Sequence, residues 1–339
     1  MHSPKLRFAI LGYGKHSAKV MHPAFSDSSR TELVAIATES KEKFDSLSLL
    51  HPKLGVFNSY KALLESNICD AVYIGLPNHL HAQWSIEAMR HGKHVLCDKP
   101  LAVSSSEVSL MQAVSAETER KLFEGFMYRF HPQHQKVFEI IKENSLGDLR
   151  LLEIHFHYHL LDRDNIRLKK DCAGGGLYDV GCYAVDCARF LLSKNPISVF
   201  AHGKINEETG VDESLSAVFT YDDGLSVQFT VGTTLLRESR YALYGTKGVV
   251  HVEPAFVVPR NMKASVLFKD IEGSEKRFQI EAKNQYALEL DYFASLVAGE
   301  AVDERLTPVS LENARVIEAL FISLRTGKSA KVSEIDALF

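Results

Sequence analysis

The stretch LRFAILGYGKHS, residues 6–17, decides the fold. Its first six residues are mostly apolar, which predicts a strand buried on both faces, as in a parallel sheet covered by helices. Gly12 permits a tight turn after this strand, and Gly14 lets a phosphate group approach the backbone. The helix that follows would add oriented N–H groups and positive dipole charge. Ser17 stands where this dinucleotide fingerprint often has Gly or Ala, and an ordinary strand-to-helix turn is the alternative.

The same alternation of short strands and helix-length segments continues to about Gly125. It predicts an α/β fold with an N-terminal Rossmann dinucleotide-binding domain at residues 1–127. Ligands then belong at the carboxyl ends of the strands. The predicted strands are Leu6–Leu11, Leu33–Ala37, Ala71–Gly75, His94–Cys97 and Lys121–Gly125.

Residues 128–339 have a different pattern and predict a C-terminal α+β domain for substrate binding and oligomerisation. After a helix at Pro132–Asn144, successive β-like runs separated by turns predict a large open, mainly antiparallel sheet. Helices at Leu177–Leu192, Gln285–Ala298 and Ser310–Thr326 are expected on one face of it. The β-like runs are Leu149–His159, Ile197–His202, Leu215–Thr220, Leu225–Val231, Arg240–Tyr244, Gly248–Val252, Ala264–Phe268 and Lys276–Ile280.

Composition excludes several classes of protein. The chain has 339 residues, of which 45% are hydrophobic and 24% charged, with a formal net charge of −4, so it can bury a large core and presents no broad basic surface for nucleic acid. The N-terminal apolar run Phe8–Leu11 is too short for a signal peptide or a membrane span, which predicts a cytoplasmic protein. The five cysteines lack Cys-x-x-Cys spacing and are expected to be reduced thiols: Cys69, Cys97, Cys172, Cys182 and Cys187.

Four segments carry the chemistry: AVYIGLPNHLH at 71–81, GKHVLCDKPL at 92–101, GFMYRFHP at 125–132 and GGGLYDVGCYAVD at 174–186. Together they resemble the glucose-fructose oxidoreductase / inositol dehydrogenase / rhizopine-catabolism (Gfo/Idh/MocA) family over essentially the whole chain. The resemblance implies an NAD(P)-dependent oxidoreductase that interconverts a secondary alcohol and a ketone, or a lactol and a lactone. The implied substrate is a sugar, cyclitol or related polyol.

The resemblance also implies a catalytic set of Lys99, Asp179 and Tyr183. Lys99 lies in Asp98-Lys99-Pro100, where the family has Glu-Lys-Pro, and a cis Lys99-Pro100 bond is implied as well. An ammonium at a strand end can stabilise the reacting oxygen as hydride moves, and a nearby ammonium lowers the pKa of a phenol such as Tyr183. Asp179 and Tyr183 are four residues apart and would share one helix face. The structural alternatives are a lysine that reaches solvent, and a core tyrosine beside a capping aspartate.

Further positions follow from the glycine turn and the resemblance. Besides Lys99, the predicted substrate contacts are Arg167, Asp179, Tyr183 and Tyr286, and His131 is a second-tier candidate. An ordinary ion pair is the alternative for each arginine. The predicted cofactor-binding residues are Gly12, Tyr13, Gly14, His16, Ser17, Thr38, Glu39, Leu76, Pro77, Asn78, His81, Asp98, Lys99 and Arg129.

The end of the second strand bears on the choice of dinucleotide. NAD-binding folds place a carboxylate there for the ribose hydroxyls, and this carboxylate repels a 2′-phosphate. Thr38 takes the usual position of that carboxylate and can donate to a phosphate, while Lys41 and Lys43 follow nearby. We therefore predict NADP, with NAD as the alternative if Glu39 binds the ribose.

Three histidines, His155, His157 and His159, project from one face of a predicted strand. Imidazoles two residues apart are nearly 7 Å from each other, so a metal would need ligands from elsewhere. We predict no metal and instead a polar sheet face that joins subunits in a homodimer or homotetramer.

A second function from another class fits the same fold. A non-catalytic dinucleotide-sensing transcriptional co-regulator is expected to lose the lysine or its partners. This chain keeps all three residues of the implied catalytic set, which favours the enzyme.

Overall fold

The computed structural model describes residues 4–337 and divides them into two compact units. The first contains 4–102, 106–127 and 284–308, and the second contains 103–105, 128–283 and 309–337. This division differs from the predicted boundary at residue 127 in two short segments, 103–105 and 284–308. None of the described helices is long and apolar enough to cross a membrane.

The first unit is built on a parallel six-stranded sheet in the order β3-β2-β1-β4-β5-β6. This order is that of a dinucleotide-binding fold, and it confirms the predicted Rossmann architecture. Burial explains the continuous apolar run, because Phe8, Ala9, Ile10 and Leu11 are fully inaccessible to solvent. The strands are β1 (Leu6–Leu11), β2 (Thr31–Ala37), β3 (Gly55–Phe57), β4 (Ala71–Ile74), β5 (His94–Asp98) and β6 (Leu122–Gly125).

The sequence prediction missed β3, which has only three residues, all of them half-buried. Ser40 and Ser59 each cap the helix that follows them with a side-chain oxygen, at Lys43 N and Ala62 N. A π-helical turn at Ser17–Met21 leads into the first helix. The helices of this unit are α1 (His22–Asp27), α2 (Lys41–Leu50), α3 (Tyr60–Leu64), α4 (His81–Arg90), α5 (Ser105–Thr118) and α8 (Gln285–Val297). The first residue of α5, Ser105, is assigned to the second unit.

The position of α8 corrects the prediction that Gln285–Ala298 packs on the antiparallel sheet. This helix contacts α1 and β2, and Phe293 packs with Phe8 at a ring distance of 5.6 Å. Asp291 accepts hydrogen bonds from Ser28 Oγ at 2.6 Å and from Arg30 N at 3.0 Å. An apolar stripe shows that a helix is half-buried, but it does not identify the sheet that covers it.

The second unit contains a nine-stranded sheet in the order β14-β13-β12-β11-β7-β10-β9-β8-β15. The sheet is antiparallel except at β7 and β10, which confirms the predicted open, mainly antiparallel sheet. The strands are β7 (Leu149–His159), β8 (Ser198–Ile205), β9 (Asp212–Thr220), β10 (Ser226–Gly232), β11 (Thr234–Gly245), β12 (Gly248–Val252), β13 (Ala264–Asp270), β14 (Glu275–Ile280) and β15 (Ala330–Lys331).

Three longer helices belong to this unit: α6 (Pro132–Lys142), α7 (Cys182–Leu192) and α9 (Ser310–Thr326). α7 contacts β7 and β10, α9 contacts β8, and the two helices contact each other. A π-helical turn at Leu177–Gly181 precedes α7. The regular α-helix predicted over Leu177–Leu192 is therefore interrupted in its first turn.

Candidate active site

The glycine turn after β1 has the conformation that the fingerprint predicted. Gly12 has φ +86°, and a Cβ there would lie 2.4 Å from Leu76 Cδ2 and 2.8 Å from the Gly75 carbonyl oxygen. At Gly14 a Cβ would meet no described atom within 4 Å, so packing does not explain that glycine. Ser17 is buried and donates to the Gly12 carbonyl oxygen at 2.8 Å. Its hydroxyl therefore shapes the turn, and a direct contact with a cofactor stays a prediction.

Thr38 follows β2 at the same edge of the sheet and is buried. Its Oγ1 accepts a hydrogen bond from Ser40 N at 3.2 Å, which leaves the hydroxyl hydrogen available to donate elsewhere. Glu39 beside it is exposed. These residues and the glycine turn fit a dinucleotide, because the chain offers a close backbone approach and a hydroxyl donor at neighbouring strand ends.

The His81 ring lies within hydrogen-bond distance of two backbone segments, one at Leu76 and one directly after Lys99. Its Nδ1 lies 2.8 Å from the Pro100 carbonyl oxygen, and its Nε2 lies 2.9 Å from the Leu76 carbonyl oxygen. Burial lowers the pKa of His81, whereas the nearby Asp98 raises it. A neutral ring can donate to one of the two carbonyls only, and a protonated ring would donate to both.

The Lys99-Pro100 peptide bond is cis, as the resemblance implied. Lys99 directly follows β5 and is half-buried, and its backbone N donates to Asp98 Oδ1 at 2.9 Å. Pro77 and Asn78 lie in the loop after β4 and are half-buried. The structure thus brings Lys99 and the loop at 76–78 to the edge of the sheet where the glycine turn lies.

Tyr286 lies on α8 in the first unit, where its ring is 5.7 Å from that of His16. Burial raises the pKa of Tyr286, and the neighbouring carboxylates Asp98 and Glu289 raise it further. Tyr13, another predicted cofactor residue, shares a hydrogen bond of 2.7 Å with His22 Nδ1. Their contacts with cofactor or substrate stay predictions.

Asp179 is the centre of a polar cluster in the second unit. It accepts hydrogen bonds from Tyr158 OH at 2.5 Å and from Arg167 Nε at 2.8 Å. Burial and the nearby Asp179 carboxylate raise the pKa of Tyr158, so this phenol is a donor at neutral pH. Arg167 and Asp179 therefore lie together, and their contacts with substrate stay predictions. Sequence reasoning missed Tyr158. The available signal was its place in β7 between His157 and His159, because alternate residues of a strand point to opposite faces of the sheet.

The three glycines at 174–176 lie where neighbouring atoms leave little room for a side chain. A Cβ on Gly174 would lie 2.4 Å from the Arg167 carbonyl oxygen, and one on Gly175 would lie 2.3 Å from Asp212 Oδ1. Gly175 also has φ +115°, and its N donates to the Arg167 carbonyl at 2.8 Å. Asp212 is buried and accepts from Leu177 N at 2.6 Å. This carboxylate therefore caps the segment that carries Asp179, a role that sequence reasoning also missed.

Tyr183 lies in the first turn of α7 and is buried. Its ring packs against Phe156 at 5.1 Å, Phe256 at 5.6 Å and Tyr128 at 5.9 Å. Asp179 lies in the π-helical turn, so the argument from regular α-helical spacing does not apply to this pair. The aromatic packing restricts the orientation of the Tyr183 ring.

Arg129 forms a buried ion pair in the second unit. Its Nε and Nη2 donate to Asp186 at 2.9 and 2.7 Å, and its guanidinium lies 4.6 Å from the centre of the Phe190 ring. Asp186 also accepts from Tyr128 OH at 2.6 Å and from Asn313 Nδ2 at 2.8 Å. The structure thus gives Arg129 a structural role, and the predicted cofactor contact stays a prediction.

His131 caps α6 through Nδ1, which accepts from Gln133 N at 3.4 Å. Burial lowers the pKa of His131 to about 4, so the ring is neutral at physiological pH. This cap gives Nδ1 a structural role, whereas Nε2 is buried without a hydrogen-bond partner among the described residues. A contact of His131 with substrate or cofactor stays a prediction.

Comparison with known proteins identifies the class of protein. Residues 6–126 match the oxidoreductase family with an NAD-binding Rossmann fold, and residues 134–251 match the GFO/IDH/MocA C-terminal domain. The chain belongs to the GFO/IDH/MocA oxidoreductase family, and it is an NAD(P)-dependent oxidoreductase that acts on CH–OH groups.

Two relatives and one solved structure illustrate the similarity. D-xylose 1-dehydrogenase (NADP(+)) 2 of Haloferax volcanii is 32% identical over 96% of this chain and 100% of its own. A dTDP-3,4-didehydro-2,6-dideoxy-alpha-D-glucose 3-reductase of Actinomadura kijaniata is 29% identical over 95% of each chain. A crystal structure of a 3-ketoreductase from Actinomadura kijaniata with NADP and TDP-benzene has a TM-score of 0.88 and 28% identity, and it covers 94% of this chain and 98% of that one.

Proposed function

We propose that this enzyme interconverts a secondary alcohol and a ketone, or a lactol and a lactone, on a sugar or related polyol. The names of the relatives support a sugar substrate, since they include a xylose dehydrogenase and a deoxysugar 3-reductase. The observation that carries the proposal is the position of Lys99. It directly follows β5, at the edge where Gly12 and Thr38 follow their own strands.

The dinucleotide, when bound, supplies or accepts the hydride. The Lys99 ammonium would donate a hydrogen bond to the reacting oxygen and stabilise the negative charge that develops on it. Tyr183 would take the hydroxyl proton during oxidation and return it during reduction. Asp179, held by Tyr158 and Arg167, would orient the substrate through its own carboxylate, together with the guanidinium of Arg167.

Related structures support these roles by residue type. The 3-ketoreductase that resembles this chain has also been crystallised as a variant with lysine changed to alanine and as one with tyrosine changed to phenylalanine. Lysine and tyrosine are the residue types that we propose as catalytic here.

Turnover of a sugar panel by the variants tests the proposal. Lys99→Ala and Tyr183→Phe should each lower kcat at least about 10²-fold and leave dinucleotide affinity within a few-fold, because these groups act mainly in the transition state. Asp179→Asn should have a smaller effect. Tyr178→Phe is a matched control, since the Tyr178 hydroxyl donates to the Val103 carbonyl oxygen at 2.7 Å and has no proposed chemical role. Near-normal turnover of Tyr183→Phe would refute its role as the proton carrier.

NADP is the proposed dinucleotide, supported by Thr38 as a buried donor and by the NADP in the related structure. In a comparison of kcat/KM for both dinucleotides, Thr38→Asp should shift preference toward NAD and Glu39→Arg toward NADP. Each shift should be roughly 1–3 kcal/mol, as for a charged contact. A wild-type enzyme that prefers NAD by more than about tenfold, or 1.4 kcal/mol, would show that Glu39 binds the ribose.

A homodimer or homotetramer is also proposed, formed through the face of the nine-stranded sheet opposite α7 and α9. On this face Phe200 is 40% exposed and Val218 is 36% exposed, while their strand neighbours Val199 and Ala217 are buried. Exposed apolar side chains on a sheet face are typical of a surface that another molecule covers.

A further inference from the structure

The polar cluster on β7 and β11 contains three side chains that could ligate a metal. They are His155, His157 and Glu238, and their ligand atoms all lie within 4.8 Å of one another. From the sequence, a metal bound by these histidines would need a further ligand from elsewhere in the chain. Tertiary structure adds Glu238 from β11, which pairs with β7 at His157.

A hydrogen bond to a backbone carbonyl determines which ring nitrogen of His157 can bind a metal. Its Nδ1 lies within hydrogen-bond distance of the Leu236 carbonyl oxygen, and because a carbonyl can only accept, Nδ1 must carry the hydrogen. In the neutral ring Nε2 then has a lone pair, and it lies 3.3 Å from Glu238 Oε2. Two acceptors that face each other at this distance require a cation between them, either a proton on the ring or a metal ion.

The separation of His157 and Glu238 is compatible with a metal ion bound by both. With metal–ligand bonds of about 2.0–2.1 Å, neighbouring ligand atoms of a tetrahedral zinc site are about 3.4 Å apart. The separation of 3.3 Å between His157 and Glu238 agrees with that value, and it exceeds the usual N–H···O distance of about 2.9 Å. A backbone carbonyl on the second ring nitrogen is also what metal-binding histidines usually have.

The surrounding charges are compatible with a divalent cation. Glu153 Oε1 lies 2.8 Å from His155 Nε2, and Arg240 donates to both Glu153 and Glu238. With neutral imidazoles, two carboxylates and one guanidinium leave this cluster with a net charge of −1. Arg240 binds Oε1 of Glu238, so Oε2 still faces His157. Glu153 and His155 also line a groove of about 320 Å³ on this face of the sheet.

We propose that His155, His157 and Glu238 form a binding site for a divalent transition metal of the zinc class. Two imidazoles and one carboxylate are the ligands that zinc prefers over the hard ion Mg²⁺. With three protein ligands, the fourth position would be taken by water or by Glu153. The proposal is independent of the oxidoreductase function, because none of these residues belongs to the proposed active site.

The test measures Zn²⁺ binding to the chelator-treated full chain by isothermal titration calorimetry in excess Mg²⁺. We expect one saturable site per chain, and we expect His157→Gln and Glu238→Gln each to weaken Zn²⁺ affinity at least about 10-fold. His159→Gln is the matched control, since His159 follows on the same strand and lies outside the cluster. This variant should leave the affinity unchanged.

Two results would overturn the proposal: a wild-type chain that binds no Zn²⁺, and an equal loss of affinity in His159→Gln. The first would assign a proton to the position between His157 and Glu238. If a cluster variant fails to fold, ring ¹⁵N resonances of the wild-type chain replace it. Zn²⁺ should then shift the resonances of His155 and His157 and leave that of His79, an exposed residue of the first unit, in place, and the opposite pattern would reject the site.

Discussion

Changing Asp212 to asparagine should alter how stability depends on pH. Burial raises the pKa of this carboxyl from the usual 3.8 to about 7, although backbone N–H groups of Leu177 and Gly176 act in the opposite direction. Between these two pH values the unfolded chain has released the proton and the folded chain retains it. The folded state therefore binds more protons, and the free energy of unfolding falls as pH rises through this interval.

The size of the effect follows from the shift. A difference of about three pH units, at about 1.36 kcal/mol each, corresponds to about 4 kcal/mol. This stabilisation is fully present below pH 3.8 and is lost as pH rises to about 7. The amide of an asparagine cannot ionise. Between pH 4 and pH 8, the free energy of unfolding of Asp212→Asn should therefore rise relative to that of the wild type by up to about 4 kcal/mol.

Hydrogen exchange and circular dichroism can measure this difference. The only tryptophan, Trp84, lies in the first unit, so its fluorescence does not report on the second. Hydrogen exchange of the segment 174–192, corrected for intrinsic rates, reports on the helix that Asp212 caps. Urea unfolding followed by far-ultraviolet circular dichroism complements this measurement. Asp223→Asn is the control, because Asp223 is exposed and its pKa is lowered by Lys194. A wild-type-minus-variant difference that is flat from pH 5 to pH 8 would refute the reasoning, since it would mean that Asp212 is ionised throughout.

Three further outcomes are expected. Asp186→Ala should lower the free energy of unfolding of the second unit by roughly 3–5 kcal/mol in urea, because it leaves the Arg129 charge buried without its partner, and a loss below about 1 kcal/mol would contradict this. Gly175→Ala should cost at least about 1–3 kcal/mol in backbone strain at φ +115° and reduce kcat more than dinucleotide affinity, whereas unchanged kinetics would argue against the importance of this turn. Val218→Glu should reduce the molar mass measured by light scattering to that of a monomer, and an unchanged oligomer would exclude this sheet face as the interface.

The sequence by itself determined the local elements and the two types of sheet. Continuous apolar runs such as Phe8–Leu11 indicate strands buried on both faces, and glycines directly after the first strand indicate a turn that no other residue makes easily. These signals are local, because period, turn chemistry and chain order act over a few residues. The motif at Lys99 also identified the family, and with it the reaction class.

Only the tertiary structure decided where distant segments pack. α8 packs in the first unit, where Phe293 contacts Phe8 and Asp291 accepts a hydrogen bond from Ser28. Its apolar stripe is compatible with packing on either sheet. Asp212 became a helix cap through a contact with Leu177, 35 residues away, and Tyr158 reached Asp179 across 21 residues. Such pairings depend on sheet register and on the space that glycines leave. Residue spacing in the sequence cannot determine them, because each polar side chain has many partners of suitable chemistry until the backbone selects one.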